Sequence, residues 1–214
     1  TLFYFSMSPE RREVKSESIH HSMSYFYNEN YILPLSHDEV VYGKKSMIEK
    51  MYGTPEQKTA QLKLLYLYMF AHPGKKLCFM GNEFAQKSEW SFSSQLSWNK
   101  SDNSDFTEFI RKLYSVYQTE ENLSCCDYDG RKFRWIDYEN RNGIFVFSRA
   151  NDDTKTLFCF FNFSDESTEY RINCVGKKVS EILVSSGKIS VSKPSKDRIA
   201  VKSDAFSGAI IKLC

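Results

Sequence analysis

The sequence has no excess of charge of either sign: 29 basic residues stand against 27 acidic ones, and no run of Lys or Arg exceeds two. That removes the electrostatic footprint of a nucleic-acid or anionic-lipid binder and makes a neutral partner the expectation. Nor does any apolar run approach the roughly 18 residues of a membrane span, so a soluble chain with no membrane partner is expected. The six cysteines, Cys78, Cys125, Cys126, Cys159, Cys174 and Cys214, show no CxxC spacing. They read as reduced, buried thiols of a cytoplasmic protein rather than as a disulfide framework. No secretory signal is recognisable, so the sequons at Asn122-Leu123-Ser124 and Asn162-Phe163-Ser164 read as chance matches. His20 and His21 are adjacent, do not share a helix face and lack a third ligand at zinc-like spacing, so no metal site is expected. Position 1 is Thr1 rather than Met, and truncation explains that better than processing.

Aromatic residues are plentiful, with 17 Phe, 13 Tyr and 3 Trp. Most should fill cores, although aromatic faces also stack on sugar rings. A length of 214 residues allows one large domain or two small ones. Residues 1–30 are mixed in character, with a helix start at Ser8-Pro9-Glu10. The apolar run Tyr31, Ile32, Leu33 and Leu35 is a strand candidate, and Pro34 sets the end of its regular ladder near Leu33. A short helical turn is expected over Met47 to Met51. Thr54-Pro55-Glu56-Gln57 is a capping box with Pro at the first helical position, and the helix should run to His72, where Pro73-Gly74 stops it. Its second half is apolar nearly all round and should pack deep.

Leu77, Cys78, Phe79 and Met80 lack polar alternation, which predicts a parallel strand covered on both faces. Strand, helix and strand make one unit of an α/β barrel. A second amphipathic helix starts near Ser104, with Phe106, Phe109, Ile110, Leu113, Tyr114 and Tyr117 on one stripe, and is expected to be the last. From about Cys125 the pattern becomes eight short strand-like runs between turn clusters such as Asn140-Arg141-Asn142-Gly143 and Asn151-Asp152-Asp153. That predicts a separate antiparallel sandwich.

The chemistry gathers at the two strand ends, where His37, Asp38 and Glu39 follow the first run and Asn82 and Glu83 the second. The C-terminal ends of barrel strands are where catalytic residues sit. Two uses of the first cluster stand side by side. A His-Asp pair can grip adjacent sugar hydroxyls, and glycosyl transfer is carboxylate chemistry; alternatively, Asp38 and Glu39 merely cap the next segment.

The stretches LPLSHDEVVYGKKSMIEKM, LLYLYMFAHPGKKLCFMGNEFAQKSEW and LSW closely resemble the glycogen branching enzymes of the α-amylase superfamily, glycoside hydrolase family 13. Ser36-His37-Asp38-Glu39 with Met80-Gly81-Asn82-Glu83-Phe84 and Glu89-Trp90 is the specific part. The resemblance implies that Asp38 is the transition-state-stabilising carboxylate and His37 its hydroxyl-binding neighbour. Glu39, Lys44, Asn82, Glu83 and Trp90 would support the substrate. It implies cleavage of an α-1,4 glucan such as glycogen or amylose, a covalent glycosyl enzyme, and transfer to a 6-hydroxyl, with no metal or organic cofactor. Tyr42 stands where many relatives carry His. No segment matches the family's nucleophile Asp or general-acid Glu, which would belong to an N-terminal part of the enzyme.

The expected architecture is α/β plus all-β: residues 1–122 as the C-terminal part of a (β/α)8 barrel, and 123–214 as an antiparallel β-sandwich. A barrel of this kind needs eight strands and about 250 residues, so the 214 residues alone are expected to be inactive. The competing functions are an isoamylase-type or trehalose-releasing hydrolase, and a non-catalytic glucan-binding remnant.

Overall fold

The computed structural model describes residues 1–98, 104–138, 142–150, 155–174, 176–193, 195 and 197–214. Three short helices open the chain: α1 (Leu2–Ser6), α2 (Pro9–Glu13) and α3 (Glu17–His20). Helices this short do not hold themselves together. Buried Arg12 on α2 holds α1 by donating to the carbonyls of Tyr4, Phe5 and Met7, and ties both to Phe163 O and the Gln61 side chain. A charge is tolerated in that interior because its donors are spent on acceptors from three parts of the chain.

Strand β1 (Ile32–Leu35), helix α4 (Pro55–Ala71) and strand β2 (Lys75–Cys78) form the expected unit, with β1 and β2 paired in parallel. The ladder does not stop at Leu33; it continues through Pro34, opposite Leu77, to Leu35, opposite Cys78. Leu35 offers its carbonyl to Phe79 on the β2 side. Backbone groups alternate sides along a strand, so the missing N–H of Pro34 faces away from β2 and costs no ladder bond. The β2 expectation also needs correction: the strand begins two residues earlier, at Lys75, and ends at Cys78. It is not covered on both faces, since Leu77 keeps 41% of its surface and Ile32 on β1 keeps 55%. Among the described residues the two strands make a two-stranded sheet.

Helix α4 carries the full capping box, with the Gln57 amide donating to Thr54 Oγ1 at 3.3 Å and the Thr54 amide to Gln57 Oε1 at 2.9 Å. Its apolar circumference is explained by what surrounds it: helix α5 (Ser104–Thr119) on one side, and strands of the β region on the other. Leu62, Leu64, Leu65, Leu67 and Phe70 are all buried. Helix α5 is not the last, because a single turn, α6 (Glu121–Ser124), follows it.

Among the described residues the eight expected strands follow: β3 (Phe133–Asp137), β4 (Ile144–Ala150), β5 (Thr156–Asn162), β6 (Thr168–Asn173), β7 (Val179–Ser185), β8 (Ile189–Val191), β9 (Arg198–Ser203) and β10 (Ser207–Leu213). The order β3-β4-β5-β10-β7 makes one antiparallel sheet, and β6-β9-β8 makes another. Ile144, Val146, Phe160, Ile172, Val201 and Ile211 fill the space between them. The opposite face of the larger sheet, with Phe145, Phe147 and Phe161, joins Tyr68 and the α4 leucines in a second core. That double coverage is why β5 is buried at every position. Of the two turn clusters, Asn140-Arg141 and Asn151-Asp152-Asp153 lie outside the described residues.

The two regions also share an ionic hub. Asp127, nearly inaccessible, accepts from Tyr117 at 2.7 Å and the Gly74 amide at 3.1 Å, and lies 3.4 Å from Arg149 on β4 and 3.2 Å from Lys75. Arg149 also donates to the carbonyls of Ala71 and Leu123. Three of the six thiols, Cys126, Cys159 and Cys174, are buried, whereas Cys125 and Cys214 are exposed and Cys78 is half-buried; none of the six is in a disulfide. Both sequon asparagines are buried, and the Asn162 amide is spent on Glu166, Ser203 and Asp204.

Candidate functional site

At the end of β1 the chain tightens into a 3-10 turn over His37–Glu39, capped by Ser36, whose Oγ accepts from the Asp38 amide at 3.3 Å. The turn puts His37 Nε2 3.3 Å from Asp38 Oδ1, with both side chains open to solvent. Parallel pairing brings the end of β2 alongside: the Phe79 amide donates to Leu35 O at 2.9 Å, and the Phe79 ring lies 5.9 Å from the His37 ring. Trp90 packs edge-on against Phe79 at 5.2 Å, and its backbone amide donates to Val40 O at 3.0 Å. Lys44 reaches back to donate to Asp38 O at 2.8 Å. His37, Asp38, Lys44 and Trp90 therefore belong to one constellation.

The remaining expected residues lie differently. Asn82 is buried, and its amide donates to Leu35 O at 3.3 Å, which ties the two strand ends together. Glu83 is half-buried in the adjoining turn Asn82–Phe84. Glu39 lines a separate cleft of about 430 Å³ with Leu33, Pro34, Leu65 and Tyr68. Exposed Tyr42 extends into solvent from a left-handed backbone position. The His20 ring lies 4.9 Å from that of Tyr138, tilted by 51°.

Two residues outside the expected set belong to the constellation. Phe79 supplies its apolar floor. Glu89 accepts from the amides of Gly43 at 3.1 Å and Lys45 at 2.5 Å. The Glu89-Trp90 pair already stood in the resembling motif, but only Trp90 was given a substrate role there. Lys50 donates to Lys44 O, and partial burial, more than the lysines beside it, pulls its ammonium below the ordinary lysine range. Among the described residues no group of three or more His, Cys, Asp or Glu is placed to hold a metal, and no helix is long and apolar enough to cross a membrane. Chemically, the constellation offers an exposed carboxylate, an imidazole and an aromatic floor, a combination that can hydrogen-bond sugar hydroxyls and stack against a ring face.

Residues 135–213 match the family described as "Alpha amylase, C-terminal all-beta domain", which spans the strands from Trp135 through β10. Curated 1,4-α-glucan branching enzymes match far more of the chain: 43% identity over 171 residues in the protein of Picrophilus torridus, 42% over 178 in that of Bacillus caldolyticus. These cover 79% and 80% of this chain. Over about four fifths of its length the chain is similar to 1,4-α-glucan branching enzymes. The chain spans about a quarter of the length of the curated relatives it matches, 23% and 27% in those two cases. Among solved structures, an Anoxybacillus pullulanase crystallised with maltotetraose superposes at a TM-score of 0.70, over 99% of this chain and 32% of its own, at 14% identity. An α-amylase of H. orenii superposes at 0.61, over 98% and 48%, at 13% identity. At those identities the likeness concerns fold alone.

Proposed function

We propose that this chain serves a 1,4-α-glucan branching enzyme as its glucan-contacting C-terminal part. Residues 1–122 take the place of the last strands and helices of a (β/α)8 barrel, and residues 123–214 form the β-sandwich beside it. In this reading Asp38 accepts hydrogen bonds from ring hydroxyls of an α-1,4 glucan, and those bonds tighten as the ring gains oxocarbenium character. His37 contacts neighbouring hydroxyls, Lys44, Trp90 and Glu83 support the same substrate, Asn82 acts by tying the two strand ends together, and Glu39 faces the separate cleft. The full reaction breaks the α-1,4 C–O bond, holds the chain on the family's nucleophile Asp, and releases it to the 6-hydroxyl of an acceptor glucan with net retention. A cytoplasmic protein acting on glycogen or amylose fits the reduced thiols and the balanced charge.

The observation that carries the proposal is the placement of His37 and Asp38, open to solvent, at the end of a parallel strand in a chain 42–45% identical to branching enzymes. Titration of the 214-residue chain with maltoheptaose, followed by amide NMR, tests it. Shifts should centre on His37, Asp38, Lys44, Phe79 and Trp90 and disappear in Asp38→Ala. Saturable binding that leaves those amides unmoved would refute the assignment.

A further inference from the structure

The segment that follows the His37–Asp38 turn adopts a costly backbone. Tyr42, Gly43 and Lys45 have φ of 57°, 79° and 68°, and only the glycine takes that left-handed region without a steric penalty. The residues before Lys45 bring few compensating contacts of their own, because Tyr42, Gly43, Lys44 and Lys45 are all exposed. A conformation of this kind persists where something outside it holds it. The Glu89 carboxylate fills that role: Oε2 accepts from the Gly43 amide and Oε1 from the Lys45 amide. Amides turned inward by alternating backbone twist form a concave anion nest, and hydrogen bonds to an ionised acceptor are about twice as strong as neutral ones.

The hold does not end at the loop. Between the two clasped amides lies Lys44, whose ammonium donates to the carbonyl of Asp38 at 2.8 Å, while its own carbonyl accepts from Lys50 at 2.5 Å. One residue beyond Glu89, the Trp90 amide donates to Val40 O, so both sides of the 37–45 segment are tied to the same short stretch of the loop after β2. The geometry points to Glu89 as a positioning residue: by clasping the Gly43 and Lys45 amides it sets Lys44 against the Asp38 carbonyl and fixes the aim of the His37–Asp38 turn. Glu89 itself touches neither His37 nor the Asp38 carboxylate. Its effect on glucan rests on the reading of that turn as a sugar-binding element, but its effect on the turn does not.

The experiment uses the whole 214-residue chain with Glu89→Ala, Glu89→Gln and Lys44→Met, amide NMR, and maltoheptaose as the probe. In Glu89→Ala the Gly43 and Lys45 amides should lose their hydrogen-bonded shifts, and those of His37 and Asp38 should move with them. Maltoheptaose affinity should fall about tenfold, as loss of a charge-assisted contact does. Glu89→Gln keeps one acceptor oxygen, so it should restore one of the two amides and part of the affinity. Lys44→Met should leave the Gly43 and Lys45 amides in place while moving Asp38. Hydrogen exchange in the long helix over residues 55–71 distinguishes a local clasp from general loosening and should be unchanged. Movement of residues 43 and 45 with His37 and Asp38 unmoved would overturn the positioning role. Slowed or quickened exchange throughout the long helix in both Glu89 variants would overturn it as well, by showing a merely structural residue. If the wild-type chain shows no saccharide-induced shift while the Glu89 variants still move His37 and Asp38, the clasp stands and the sugar-binding reading of the turn fails.

Discussion

His72 shows how completely one side chain can be committed by its surroundings. It is buried at the end of α4, with Nδ1 2.8 Å from Pro73 O and Nε2 3.2 Å from Ser22 Oγ. A carbonyl only accepts, so Nδ1 carries the proton and Nε2 accepts from the serine. Burial is the main cause that pushes its pKa from 6.5 to about 3; the hydrogen bond to Pro73 opposes the shift, and Lys76 and Arg149 add to it. The sign of the pH effect follows. The fold holds the neutral ring, so its contribution is complete above about pH 6.5 and is lost as the unfolded chain takes up a proton on the way down to about pH 3. The slope can reach about 1.4 kcal/mol per pH unit from this group. Urea midpoints measured across that window should fall less steeply in His72→Gln than in the wild type. Parallel slopes would place the acid sensitivity elsewhere.

At the scale of elements, the fit between α4 and β10 sets the geometry. A Cβ at Gly208 would stand 2.6 Å from Phe160 O and about as close as 3.0 Å to Leu64 Cδ1. The carbonyl belongs to the sheet ladder and cannot yield. Gly208→Ala should therefore destabilise the chain by about 1–3 kcal/mol, as overpacking does, seen as a lower urea midpoint. Element identity was largely legible in the sequence because it rests on local signals: the Thr54 capping box, the stripe on α5, and the short strand-like runs between turn clusters after Cys125. What was not legible depends on neighbours. The Leu77 to Met80 run has the composition of a doubly covered strand, yet pairing with β1 selected Lys75 to Cys78 and left Leu77 exposed. Pro34 was compatible with the ladder because its N–H side faces away from β2, which no single-sequence pattern specifies.

For the molecule as a whole, α4 and α5 pack directly on the sheet of the β region, and Arg12 and the Asp127–Arg149 hub join the two by polar contacts. The strand ends are thus held on a scaffold that includes the sandwich. The site was legible as chemistry but not as geometry. His37 and Asp38 were identified by their place after an apolar strand, and the structure sets them beside Lys44 and Trp90. It also turns Glu39 into another cleft and commits the Asn82 amide to Leu35, outcomes that depend on turn shape rather than on sequence spacing. Glu89 stood in the resembling motif without a role of its own, because its partners are main-chain amides 44 and 46 residues away.

The central claim is that this chain presents Asp38 to a glucan in a branching reaction. Its most direct test is the rate of α-1,6 linkage formation from amylose by the Bacillus caldolyticus branching enzyme carrying this chain in place of its own matching quarter. The substituted enzyme should branch amylose, the 214-residue chain alone should not, and Asp38→Asn should slow branching by about 10²–10³-fold, the cost of removing an electrostatic stabiliser of the transition state. Branching by Asp38→Asn within a few-fold of the unmutated substituted enzyme would contradict the account.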